Sequence, residues 1–369
     1  MSKPDTAALT IRALRAVGVE VPMTFALGTS RATITRAPLL LVDLDTEEGI
    51  TGRAYLFCYL PAAAPAIAAM LGEVLAVTKG ERVAPVDLWS KLTKRFALIG
   101  VQGIVRMAMA GFDVACWDAL AQAAGLPLAR LLGGGVTREA TRIPAYNSCG
   151  LGLMAADKLA DEAEKLARGF SAVKLRLGYP TLRDDLAALA AVRKHVGEGT
   201  HVMVDYNQAL TVADALARGH ALGQEGVYWL EEPIRHDDYT GAARLAHELS
   251  VPIQIGENFS EPHSMAVAIA AGACDYAMPD LERIGGVTGW QRAAGLAAAH
   301  RIEMSSHLFP EVSAHLLAAT PTRHWLEWVD WAEAIVEEPL RIVDGHAQVP
   351  ERPGNGLTWS AKAVEKYRM

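Results

Sequence analysis

The feature that most constrains this 369-residue chain is a repeating alternation of strand and helix over its second part. Beyond about residue 140, short apolar runs fall at 141–146, 172–177, 201–207, 227–232, 252–257, 276–280, 302–307 and 324–329. Alanine-rich stretches with helical spacing separate them, including 182–195, 212–222 and 286–300. Short strands alternating with helices build an α/β architecture around a parallel sheet. Eight such units close a (β/α)8 TIM barrel, whose working residues stand at the C-terminal ends of the strands.

The first 135 residues follow a different pattern. Residues 38–44 read as a strand, 48–52 as a turn into a second strand, and 105–124 as a helix that stops at Gly125. The apolar stretch 60–71 is too short to span a bilayer and reads as a buried helix. An N-terminal α+β capping domain over 1–135 is therefore expected, then a barrel over 136–335 and a C-terminal segment over 336–369. The three glycines at 133–135 mark the first boundary, because no lysine-serine pair follows to make a phosphate-cradling loop.

Composition narrows the partners. Hydrophobic residues make up 51% of the chain and charged residues 21%, the proportions of a globular protein and too apolar for disorder. A formal charge of −7 offers no basic field to a phosphate backbone, so nucleic acid is excluded as a partner. Cys58, Cys116, Cys149 and Cys274 are too far apart for a dense disulfide framework or a close-paired zinc site, and read as reduced packing residues. The opening residues lack the apolar core of a secretory signal. A cytoplasmic protein without a membrane partner is expected.

Polar residues recur where the apolar runs end. Asp205 and Asn207 close VMVDYN, Glu231 and Glu232 close YWLEEP, Glu257 closes IQIGEN, Asp280 closes AMPD, His307 closes MSSH and Glu327 closes HWLE. One charge at one strand end is usually a solvated cap. The same placement on six successive strands instead converges the charges on one barrel mouth. Asp205, Glu231 and Glu257 would repel one another unless a cation sat among them, and all-oxygen ligation suits Mg²⁺. Zinc is disfavoured because no second histidine lies near them on the adjacent strands. Lys174 and Arg176, two residues apart, face the same side of their strand and can both point into the barrel. His307 follows Asp280 by one unit, so a neighbouring carboxylate can orient the imidazole and raise its basicity.

With these residues in view the sequence resembles the enolase superfamily, and within it the mandelate racemase-like enzymes. The likeness runs nearly end to end, through VPMTFALGTSRATITRAPLLLVDL, AVKLRLGYP, VMVDYNQ, WLEEP, IGEN, AMPDLERIGGVTGW and MSSHLFPEVSAHLLAATPTRHWLE. The resemblance implies Asp205, Glu231 and Glu257 as metal ligands, Lys174 as the group that steadies the substrate carboxylate, and His307 with Asp280 as the base. It also implies Glu327 as the hydrogen-bond donor to a developing enediolate, and so a protonated Glu327, which crowding by other carboxylates would favour. Asn207 and Ser148 match substrate contacts, residues 23–34 a mobile flap, and Tyr59 a pocket wall. Related enzymes suggest a homo-oligomer.

Two positions depart from that pattern. Arg176 stands where mandelate racemase carries a second lysine as the base on the opposite face, and arginine is a poor proton acceptor. It is expected to bind an oxygen or assist a leaving group. Arg31 in the flap replaces an apolar wall residue, hinting at a substrate with a distal carboxylate or hydroxyls. The expected activity is Mg²⁺-dependent abstraction of the α-proton of a small 2-hydroxy carboxylate, ending in dehydration of an acid sugar. Racemisation of a 2-hydroxy acid is the alternative, and a catalytically silent carboxylate or metal binder a remote third.

Overall fold

The structure, a computed structural model, describes residues 8–30 and 32–369. The chain opens with a three-stranded antiparallel sheet, Ile11–Gly28, Thr33–Thr46 and Thr51–Phe57. The first two strands lose register between Pro22 and Leu27, where the first carries more residues than its partner. Such a bulge bends a hairpin. Here the tip reaches the barrel: Leu153 N donates to Gly28 O at 3.1 Å, and Ser30 Oγ stands 3.5 Å from the carbonyl oxygens of Tyr206 and Asn207.

Helix Gly103–Ala123 packs behind this sheet with most of its length buried. The helix expected at 60–71 begins later, spanning Ala63–Thr78. Pro61 and the turn before it hold Leu60 outside the helix, 66% exposed. Two buried aspartates of helix Gly103–Ala123 join the cap to the rest of the chain. Asp113 accepts from Thr288 N at 2.9 Å and Thr288 Oγ1 at 2.5 Å. Asp118 accepts from Arg53 N at 2.7 Å and Asn355 N at 2.6 Å.

Eight parallel strands follow in chain order: Arg142–Asn147, Ala172–Arg176, His201–Asp205, Leu230–Glu231, Ile253–Ile255, Tyr276–Ala277, Glu303–Met304 and Leu326–Trp328. Each pairs with the next through the seventh, and the eighth pairs with the first. Ser306 N donating to Trp325 O at 3.0 Å joins the seventh to the eighth, so the barrel is closed. Helices stand between the strands at Leu182–Val196, Val212–Gln224 and Gly286–His300, close to the expected bounds. Ladder pairing covers only part of each apolar run, because the residues that close the runs leave the ladder, Asn207 and Glu232 with positive φ of 45° and 39°.

Period-two geometry sets up the site. Side chains two apart on a strand share a face. Below Lys174, Asp205, Glu231 and Glu327 therefore lie Ala172, Met203, Trp229 and Trp325, which form one buried cluster with Tyr146. The charged layer rests on an apolar floor. Beyond the eighth strand, hairpin strands Ile342–Val343 and His346–Gln348 add antiparallel to the first barrel strand. Helix Ala361–Tyr367 then returns to the cap, where Met369 N donates to Gly18 O at 3.0 Å. Among the described residues no helix is long and apolar enough to cross a membrane, and all four cysteines are free and buried.

Gly134 packs against the barrel backbone: a Cβ there would stand 2.4 Å from Ala318 O and 2.5 Å from Ala319 Cα. Gly134→Ala is expected to cost about 1–3 kcal/mol by overpacking. At Gly133, which has φ of +89° but open space, alanine should cost about 1–2 kcal/mol through backbone strain alone. Urea denaturation with a catalytic-domain helix probe measures both. Burial pushes Asp113 up to about 7 against its bonds to Thr288. A carboxyl raised on folding stabilises fully below its ordinary pKa and loses that contribution as pH rises through the folded value. The stability of the natural protein minus that of Asp113→Asn should thus fall between about pH 4 and 7. A flat difference would show that Asp113 does not hold a raised pKa in the folded protein.

Candidate active site

Strand ends and cap meet around a cavity of about 340 Å³. Lys174, Arg176, Asp205, Asn207, Glu257, His307 and Glu327 line its barrel side. Its cap side is Leu27, Thr29, Ala32, Ile34, Phe57, Tyr59 and Leu60, with Leu308 and Trp331 completing an apolar wall. Of the flap expected over 23–34, Leu27, Thr29, Ala32 and Ile34 line the site, as does Tyr59. Arg31 lies outside the described residues.

Ligand oxygens of Asp205, Glu231 and Glu257 all fall within 4.8 Å of one another. Asp205 is fixed by Asn207, whose N and Nδ2 donate to its two oxygens at 2.7 and 2.9 Å. Glu231 accepts from Trp229 Nε1 at 3.2 Å and Gln254 Nε2 at 3.3 Å, and Glu257 from Asn258 Nδ2 at 3.0 Å. Burial pushes Asp205 up, and pushes Glu231 up to about 8, against the pull of Lys174. Like charges buried this closely are stabilised by a cation among them, and an all-oxygen donor set fits a hard divalent ion. The residues present therefore fit Mg²⁺.

Lys174 is buried at the centre of the charged layer. Its Nζ lies 2.6 Å from both Glu231 Oε1 and Glu327 Oε1 and 3.6 Å from Asp205 Oδ2. Burial opposes its charge, but these carboxylates hold its pKa above the usual lysine value. Glu327 receives Ser148 Oγ at 2.7 Å and Leu308 N at 2.8 Å. Although burial alone would raise it, Lys174 and His307 bring it down to about 2. This departs from the protonated Glu327 expected from carboxylate crowding: the nearest charges are cations.

His307 Nδ1 donates to Asp280 Oδ2 at 2.7 Å, which leaves Nε2 facing the cavity, 3.3 Å from Glu257 and 3.9 Å from Glu327. Asp280 is held in turn by Glu282 N and Arg283 N at 2.9 and 3.0 Å. Burial lowers the imidazole, yet Glu327, Asp280 and Glu257 outweigh it and raise it to about 9. Arg176 points elsewhere in the same cavity: Nη1 donates to Gly150 O at 2.9 Å and Nη2 to Ser148 Oγ at 3.0 Å. Its Nε has no partner. Ser148, matched by resemblance to a substrate contact, is wholly buried behind Glu327 and is not among the cavity-lining residues.

Sequence reasoning missed Arg283, which lines the cavity with its guanidinium 4.7 Å over the Tyr59 ring and Nη1 donating to Glu257 O and Asn258 Oδ1. A signal was present, since it follows Asp280 by three residues on a short helix at the mouth. The apolar members of the cap wall carried no comparable signal.

A closed parallel barrel with a strand-end carboxylate trio, a buried lysine and a carboxylate-supported histidine, roofed by an antiparallel cap, defines an enolase-type enzyme architecture. The mandelate racemase / muconate lactonizing enzyme N-terminal domain model matches residues 11–133, and the enolase C-terminal domain-like model matches 158–363. The chain belongs to the mandelate racemase / muconate lactonizing enzyme family of the enolase superfamily. It is 43% identical to an enolase from alpha proteobacterium bal199 solved with bound magnesium, at a TM-score of 0.94 over 98% of this chain and 100% of that one. A Bradyrhizobium enolase complexed with magnesium and mandelic acid is 39% identical, at a TM-score of 0.92 over all of both chains. The L-talarate/galactarate dehydratase of Salmonella typhimurium LT2 is 31% identical over 89% of this chain and 82% of its own length.

Asp205→Asn, Glu231→Gln and Glu257→Gln are each expected to weaken Mg²⁺ binding by more than about 100-fold, the upper range for losing a mere supporting contact. Isothermal titration of each purified variant measures it. Any of the three that binds with unchanged affinity is not a ligand.

Proposed function

We propose that this enzyme abstracts the α-proton of a small 2-hydroxy carboxylate with His307 and completes the dehydration of an acid sugar. The observation that carries this reading is the single supported base: His307 is backed by Asp280, whereas the residue across the site is an arginine already bonded to Gly150 and Ser148. The dehydratase relative from Salmonella supports the same chemistry.

Asp205, Glu231 and Glu257 would hold Mg²⁺, in keeping with the magnesium bound to the related enolases. When bound, the ion supplies positive charge that relieves the carboxylates and acidifies a proton next to a carboxylate. Lys174 holds the substrate carboxylate and shares in stabilising the second negative charge that forms. His307, which must first lose the proton that its raised pKa of about 9 keeps at neutral pH, takes the α-proton at Nε2. Glu327, ionised beside Lys174 in the free site, must take up a proton to donate to the enediolate oxygen. Loss of the hydroxyl at the next carbon, with one proton, releases water and leaves an enol that tautomerises to a 2-keto acid. Asn207, whose Oδ1 has no partner, offers an acceptor to a substrate hydroxyl, and Arg176 steadies an oxygen through Ser148's neighbourhood. Ser148 acts on the substrate through Glu327, while Tyr59 belongs to the pocket wall.

Racemisation of a 2-hydroxy acid is the second reading. It is favoured by the apolar wall of Leu27, Ile34, Phe57, Leu60 and Trp331, which suits an unhydroxylated substituent better than a sugar chain. The related Bradyrhizobium enolase holds mandelic acid. The functional units are taken as the cap over 1–135, the barrel over 136–335 and the closing segment over 336–369. A cytoplasmic homo-oligomer is also proposed, supported by the free cysteines and by Leu98 and Ile99, exposed side by side.

Incubation with Mg²⁺ in D₂O, using sugar acids and aromatic 2-hydroxy acids, separates the readings: a dehydratase accumulates 2-keto acid, a racemase changes only optical rotation. His307→Asn is expected to slow α-proton exchange by roughly 10²–10⁴-fold while Mg²⁺ still binds. In the natural protein one enantiomer should exchange far faster than the other, and Arg176→Lys should add exchange of the second. Comparable exchange of both by the unmodified protein would overturn the single-base account and favour racemisation.

A further inference from the structure

The opposite, N-terminal mouth of the barrel holds a second recess, about 550 Å³ in volume, which the chemistry at the strand ends does not use. Arg138, Arg142, Arg323 and His346 line it together with Glu139 and His324. The barrel's own geometry gathers them. Pro144 and Arg323 stand two residues before Tyr146 and Trp325, so each lies below the apolar floor of the active site and on its inward face. Arg142 begins the first strand and Arg323 precedes the eighth, the two strands that close the barrel. His346 arrives from the added hairpin, opposite Pro144.

The three arginines line one recess, and Glu139 is the carboxylate that lines it with them. No ion pair or side-chain hydrogen bond engages Arg138, Arg142 or Arg323 among the described residues, and Glu139 on the same wall pairs with none of them. Other arginines of this chain do meet carboxylates, as at Arg15, Arg218 and Arg352. Below the arginines lie packed aromatic side chains. His324 has its ring nitrogens engaged by Tyr228 Oη at 2.9 Å and Ser305 Oγ at 3.4 Å, with Glu303 3.9 Å from Nε2. Tyr276 and Trp325 pack around the same ring. A ligand held here is therefore separated from the catalytic cavity by the aromatic floor.

We propose that this recess binds a small tetrahedral oxyanion, inorganic phosphate or a phosphate monoester, between Arg138, Arg142 and Arg323. Guanidinium groups present paired donors that match phosphate oxygens, and three of them, two from the turn into the first barrel strand and one before the eighth, can serve three oxygens at once. A ligand that binds only the folded state raises its stability by RT ln(1 + L/Kd), where L is the free ligand concentration. It would also tie the closing seam of the barrel to the added hairpin.

The test is a thermal-unfolding titration of the full chain, in excess Mg²⁺ and at constant ionic strength set with chloride. One arm uses inorganic phosphate and the other glycerol 3-phosphate; tighter binding of the ester would identify a phosphate monoester as the natural source, and equal binding the free ion. Stabilisation that rises with the logarithm of ligand concentration above the Kd is expected in at least one arm. Arg142→Gln with Arg323→Gln should weaken the apparent Kd by about tenfold or more and leave α-proton exchange without phosphate unchanged. Should that pair not fold, Arg323→Lys keeps the charge but loses the planar fork, and should weaken binding alone. Arg176→Met, in the catalytic cavity, should retain the full response. No stabilisation in either arm, a response that survives loss of Arg142 and Arg323, or one abolished by Arg176→Met would each overturn the assignment.

Discussion

Everything at the mouth of this barrel depends on burying Lys174 among carboxylates. Its ammonium sits 2.6 Å from Glu231 and from Glu327, in a layer from which water is excluded. A buried charge is tolerated only when it is paired and its remaining bonds are satisfied. The surrounding contacts meet that need in an ordered way: Trp229 and Gln254 hold Glu231, Ser148 and Leu308 hold Glu327, and Asn207 holds Asp205. The floor of Tyr146, Met203, Trp229 and Trp325 fixes the strands from which these groups project. Polar precision above is thus obtained from apolar packing one side chain below. One lysine does not balance three carboxylates, and the shortfall is what makes the site a place for a divalent cation.

The two sides of the cavity are unequal for a reason visible in their partners. His307 has one nitrogen committed to Asp280 and the other turned to the cavity, the arrangement of a base with its tautomer fixed. Arg176 spends Nη1 and Nη2 on Gly150 and Ser148. A guanidinium so held is an anchor. Through Ser148 it also orders Glu327, so a residue that reads in sequence as a lost base acts in the structure on the hydrogen-bonding of the carboxylate opposite.

The barrel and the charges at its mouth were legible because period-two alternation and strand-end placement leave a regular trace in sequence. Asp205, Glu231, Glu257 and His307 all close apolar runs, and all meet where eight closed strands must bring their ends together. The charge state of Glu327 was not legible. Counting carboxylates suggested a proton, whereas its environment depends on distances to Lys174 and His307 that no spacing encodes. Ser148 misled for a related reason: its place in the chain matches a substrate contact, but its hydroxyl is turned behind Glu327. Arg283 was overlooked because it lies one helical turn past the strand end, where a charge ordinarily faces water.

The division between cap and barrel explains why reaction class is easier to argue than substrate. Groups that move protons or hold charge stand on strand ends, whose positions closure of the barrel fixes. The wall that meets the rest of the substrate comes from the hairpin of Leu27 and Ile34 and the segment of Phe57, Tyr59 and Leu60, elements whose sequence can change without disturbing a barrel strand. That wall is apolar while the barrel side is charged, so under the proposed function a bound acid would be oriented with its carboxylate toward Lys174 and its substituent toward the cap. In so small a cavity, covering the site with apolar side chains also strengthens every interaction beneath them by excluding water. The cap that selects the substituent therefore also sets the dielectric in which His307 works, and a change in the wall alters both specificity and proton transfer.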